Sequence, residues 1–73
     1  MIGPVRIYVS LLDENVEVWR PVQAERTGGN VYKILNQHYD RETEIWQFEP
    51  GDEVVCEEIE SSEGPILAAI RKA

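Results

Sequence analysis

Cys56 and His38 are the chain's single cysteine and single histidine, and together they are its only candidates for a nucleophile and its base. That chemistry needs a thiolate within hydrogen-bond reach of the imidazole and an orienting group behind it, for which Asp40 is available. Nothing in the spacing demands such a pairing. Cys56 stands in the apolar run Val54–Ile59, where a cysteine behaves as a small buried hydrophobe, and His38 stands in a polar connection. Asp40, Glu42 and Glu44 recur at every second residue, so an extended chain points them the same way, and oxygen clusters of this kind suit Ca²⁺ or Mg²⁺. A calcium-loop alignment starting at Asp40 nevertheless puts Ile45 where glycine is required and Gly51 where glutamate is required. A carboxylate pair for glycoside hydrolysis needs a cleft between its members, which a domain this small rarely encloses. Gly28-Gly29 lacks the Lys-Ser/Thr that completes a phosphate loop, and it lacks the dinucleotide spacing. No enzyme signature is present. The expectation is a non-catalytic protein with no cofactor and no metal, a small metal-binding or thiol-dependent protein being one alternative.

The aromatic residues are more informative. With Leu12–Asn15 as the loop of a first hairpin, Leu11 pairs with Val16 and Val9 with Val18, and Tyr8 falls opposite Trp19. Arg6 shares the Tyr8 face by parity, whereas Arg20 reaches it only if Pro21 introduces a bulge. Pairing Asn36 with Glu44 sets Ile34 against Trp46 and Tyr32 against Phe48, a set free of charge that is assigned to the core. Tyr8, Trp19, Arg6 and Arg20 are therefore the candidate binding residues, because aromatic and arginine side chains dominate interface energetics. The competing expectation is that a loop or the C-terminal segment simply covers Trp19.

Short elements must position these side chains. The dominant period is two: Val5, Ile7 and Val9 alternate with Arg6, Tyr8 and Ser10, and Val16 with Val18 resumes the pattern. Pro21 cannot donate to a ladder and marks an edge or bulge. Thr27-Gly28-Gly29-Asn30 is a hairpin turn. Val31–Leu35 and Glu44–Phe48 follow as β-rich runs, Glu49-Pro50-Gly51-Asp52 fits a type II turn, and Ser61-Ser62-Glu63-Gly64 turns the chain after Val54–Ile59. The tail from Ile66 reads as a last strand or a short helix. The strand is preferred, because eight residues make a poor helix while a strand closes a sheet. The expected core is Val5, Ile7, Val9, Val16, Val18, Tyr32, Ile34, Trp46, Phe48 and Val54.

Five or six such strands over 73 residues give one domain over 1–73: an all-β, small antiparallel barrel or rolled sheet. The pattern resembles an SH3-like barrel. The stretches Val16–Pro21, Trp46–Asp52 and Val54–Cys56 also resemble short bacterial proteins of this size that carry no assigned activity. Proline-peptide-binding SH3 domains use an Ala-Leu-Tyr-Asp-Tyr motif and paired tryptophans, and this chain has neither, so the resemblance implies an architecture without a ligand.

Charge narrows the partners. Fourteen acids against seven bases give −7, and the excess is local: residues 40–63 carry ten acids and one base. Nucleic acid and anionic membranes are bound through Lys and Arg, so both are disfavoured, and a nucleic-acid-binding barrel using Arg6, Arg20, Arg26 and Lys33 is kept only as an alternative. The expectation is a protein–protein interaction module whose acidic stretch steers a basic peptide or protein. The N-terminus lacks the basic and apolar regions of a targeting segment, and one free cysteine suits a reducing compartment, so the expected location is cytoplasmic.

Overall fold

Alternating apolar residues become strands in five places. The computed structural model describes residues 3–73, with Met1 and Ile2 outside the described residues, and contains β1 (Val5–Ser10), β2 (Trp19–Gly28), β3 (Val31–Ile34), β4 (Glu53–Ser61) and β5 (Gly64–Lys72). They form a closed barrel in the order β1-β2-β3-β4-β5. The tail is thus a strand, as its alternation suggested. The small antiparallel barrel expected from the sequence is present, and one seam of it runs parallel. Each strand reverses its predecessor, so an odd-numbered meander brings its last strand back beside the first in the same direction. The closing seam is accordingly parallel, with Tyr8 in register with Ala68.

Three turns follow the sequence signals. Gly29 (φ 53°) and Asn30 join β2 to β3, and Gly64 (φ 111°) closes the Ser62–Glu63 turn between β4 and β5. Gly51 has φ 96°, the left-handed value that the third position of a type II turn requires. Asp52 N–H donates to the Glu49 carbonyl across that turn (3.0 Å), and the Asp52 carboxylate accepts from Glu49 N–H (2.9 Å).

Two expected pairings do not form. The first hairpin is longer than Leu12–Asn15 allows: Ser10 lies opposite Trp19, Val9 opposite Arg20 and Tyr8 opposite Pro21. The end of β1 acquires a second partner. Leu11 bridges to Trp46, Leu12 N–H donates to the Ile45 carbonyl (2.7 Å) and Gln47 N–H to the Ser10 carbonyl (2.9 Å). That attachment draws the connection open. Val16 therefore lies in the loop with 71% of its surface exposed, and Val18, outside any strand, is only partly buried. The slip is two residues, which preserves parity, so every β1 and β2 side chain keeps its expected face. The second failure concerns Glu44–Phe48, which is not a strand. β3 pairs instead with β4, placing Tyr32 opposite Val54. Trp46 and Phe48 are nevertheless buried, because their alternation sends both rings inward from an irregular segment.

The core comprises Ile7, Val9, Val22, Ala24, Ile34, Trp46, Phe48, Val54, Cys56 and Ala69, with Val5, Leu11, Tyr32, Tyr39 and Leu67 packed against it. Beyond the end of β3, the exposed edge of β2 is occupied by a side chain. The Gln37 amide accepts from Gln23 N–H and donates to the Gln23 carbonyl, both at 2.9 Å. Next to it Pro21 has no N–H to offer, so this edge presents little template for another strand.

Candidate binding site

β1 and β2 set Tyr8 and Trp19 on the outer wall, because Ile7, Val9, Val22 and Ala24 take the inner positions by alternation. Tyr8 faces Pro21, and Trp19 faces Ser10 one pleat further along, so the two rings are diagonal neighbours rather than directly opposed. Ala68 shares this outer face in register with Tyr8 and is fully buried, so side chains close over the wall there. Tyr8 and Trp19 are both partly buried and line a depression of about 210 Å³. Its other walls come from Glu17 and Val18 of the β1–β2 loop, from Ile66 of β5, and from the β4–β5 turn. The C-terminal hairpin thus borders the aromatic pair and leaves a hollow between them. Neither full exposure nor full cover is realised.

The turn contributes a fixed rim. The Ser61 hydroxyl donates to the Gly64 carbonyl (2.7 Å) and accepts from Glu63 N–H (3.2 Å), which anchors the backbone that carries Glu63. Glu17 and Glu63 are the charged residues of the lining, and among the described residues no lysine, arginine or histidine belongs to it. The indole Nε1 of Trp19 is the one buried side-chain polar atom without a hydrogen-bond partner among the described residues. An orphaned buried donor costs about 1–3 kcal/mol, so this ring is held in a position that a hydrogen-bond acceptor would improve.

Arg6 and Arg20 do not join the depression. The β1–β2 ladder runs without a register shift past Pro21, so the bulge that would turn Arg20 outward is absent. Arg20 stands on the inner side, at the start of β2, where its guanidinium lies 3.4 Å from the Glu44 carboxylate. Arg6 is on the outer wall, yet together with Arg20 it borders a separate hollow beside Pro21 and Gln37. The four candidates therefore divide into an aromatic pair and an arginine pair. Sequence reasoning missed Glu17, Glu63 and Ile66. For Glu63 and Ile66 no local signal exists, since only barrel closure brings the β4–β5 hairpin to Tyr8.

The residues considered for catalysis or metal binding lie outside the lining of the depression. Cys56 is buried in the core, where loss of solvation pushes its thiol up to about 11, so it stays protonated near neutrality and is a poor nucleophile. His38 is exposed. Asp40 organises its own turn, its carboxylate accepting from Glu42 N–H (3.0 Å) and its carbonyl from Glu44 N–H (3.0 Å). Glu44 is turned to Trp46, accepting the indole N–H at 3.0 Å. Among the described residues no three His, Cys, Asp or Glu side chains gather as a metal site would require, and no helix is long and apolar enough to cross a membrane. Compared with known proteins, the chain matches no family model, no curated protein and no solved structure.

Proposed function

We propose that this protein is a non-catalytic binding or adaptor module, an SH3-like barrel of the cytoplasm that docks another protein on its outer wall around Tyr8 and Trp19. The observation that carries this reading is the depression itself: two aromatic rings flank a hollow, and one of them holds a buried indole N–H without a partner. Aromatic side chains provide large contact area at small entropic cost, and unpaired polar groups at such a place gain most from a ligand. The acidic 40–63 stretch supplies long-range attraction for a basic partner and repels nucleic acid and anionic lipid. Arg6 and Arg20 drop out of the docking face, because they border a different hollow.

The test is comparative capture from native lysate with two charge reversals at exposed positions. Glu63→Arg alters the rim of the depression, and Glu25→Arg alters a strand position outside it. A partner retained by the Glu25 variant and lost by the Glu63 variant supports the reading. A partner that both variants retain docks elsewhere and overturns it.

A further inference from the structure

Resting on that reading, we infer that the depression is a receptor for one cationic side chain, an arginine carried by an extended segment of the partner. Three features of the lining converge on this chemistry. The walls include the rings of Tyr8 and Trp19, whose π-faces attract a cation. The lining's charges, Glu17 and Glu63, are both negative and come from separate loops, so a cation in the hollow has negative charge on two sides of its rim. The orphaned Trp19 Nε1–H is a donor in want of an acceptor. A free amine supplies the charge and no acceptor, and a neutral peptide supplies the acceptor and no charge. A peptide arginine supplies both, its guanidinium to the rings and carboxylates and a neighbouring backbone carbonyl to the indole. Arginine fits better than lysine because its flat guanidinium stacks on an aromatic face while still presenting paired donors to a carboxylate. The Trp19 nitrogen is closed off from solvent in this structure, so a carbonyl reaches it only where the indole shifts.

The experiment follows the two indole N–H resonances of the ¹⁵N-labelled protein, one from each tryptophan, during titration with three probes. They are an arginine flanked by glycines with both termini blocked, the same peptide with glutamine, and ethylguanidinium. The arginine peptide is expected to move the Trp19 resonance downfield and leave Trp46 in place, with binding that weakens as salt is added. Glu17→Gln and Glu63→Gln should each weaken this binding about 1.4- to fivefold, as loss of one exposed charge partner does, whereas Glu25→Gln should leave it unchanged. All three residues are exposed, so the substitutions spare the fold. An equal response to the glutamine peptide would overturn the cation inference while leaving the docking face intact. An equal response to ethylguanidinium would mean that the site takes free cations, which removes the peptide from the inference. No response of Trp19 to the arginine peptide at tens of millimolar overturns it outright.

Discussion

Trp46 is 4% exposed and stacked on Tyr39 at 4.3 Å between ring centres, with the Arg41 guanidinium 4.4 Å from the centre of the tyrosine ring. Its backbone N–H donates to the Tyr39 hydroxyl (2.6 Å) and its indole N–H to Glu44 (3.0 Å), so each of its donors is used. Trp19 is only partly buried, its indole N–H has no partner among the described residues, and its ring borders a hollow. The same side chain thus stands in two different environments in one small barrel. Where the chain's own atoms satisfy an aromatic residue, it is structure. Where they leave a buried donor unpaired, packing alone does not account for it. In so small a domain the two conditions can be read almost atom by atom.

The largest expected effect tests the structural half. Trp46→Ala removes a core ring together with its stack on Tyr39 and its bond to Glu44. It should cost about 3–5 kcal/mol, close to the whole stability of a domain this size. A urea denaturation curve checks it, and a shift below about 1 kcal/mol would mean that the ring is not a core element.

A second effect comes from Cys56 and concerns the core alone. The thiol's ordinary value is 9.0 and burial raises it to about 11, so the folded state holds the proton more tightly than the unfolded chain does. Its contribution is complete below pH 9 and is lost as pH rises through 11. Across that window each step of one in pH removes about 1.4 kcal/mol, so the whole loss is at most about 3 kcal/mol. Denaturation of the wild type and of Cys56→Ala across pH 8–11 isolates the difference. Parallel stability profiles would show that the thiol ionises without hindrance.

The comparison is sharpest when both tryptophans become phenylalanine. Trp46→Phe breaks a satisfied bond and leaves the Glu44 carboxylate without its indole donor, so it should destabilise by about 1–2 kcal/mol. Trp19→Phe discards an orphaned donor and should be neutral, or stabilising by up to about 1 kcal/mol. Equal losses at the two positions would dissolve the distinction. In the Trp46→Phe background, iodide should quench the remaining Trp19 fluorescence appreciably, and complete protection in a verified monomer would end the docking reading.

The smallest effect concerns the first loop. Val16 lies outside the strands and mostly in solvent, so Val16→Ser should change stability by no more than about 0.5 kcal/mol. A loss of more than about 1 kcal/mol would mean that the loop is packed as a strand after all.

Much of this architecture was legible because its causes are local. Alternation over Val5–Ser10 follows from the period of a strand. Gly29, Gly51 and Gly64 mark turns because each adopts positive φ, which other residues resist. Pairing was less legible. Glu44–Phe48 has strand-like alternation, yet β4 competes for the edge of β3 and wins, a contest between distant segments that no local pattern records. The site was half legible for the same reason. Tyr8 and Trp19 share a face by parity, which survives a two-residue slip, whereas a single-residue slip would have separated them.

The sequence by itself determined which side chains of β1 and β2 face inward, where the chain turns, and which stretch carries the acidic excess, since these depend on residue type and a period of two. Only the tertiary structure decided that the last strand closes in parallel on the first, that Arg20 turns to Glu44, and that Glu63 and Ile66 complete a hollow beside Tyr8. Those outcomes depend on closure, in which segments far apart along the chain must meet, and the energy of meeting belongs to neither segment alone.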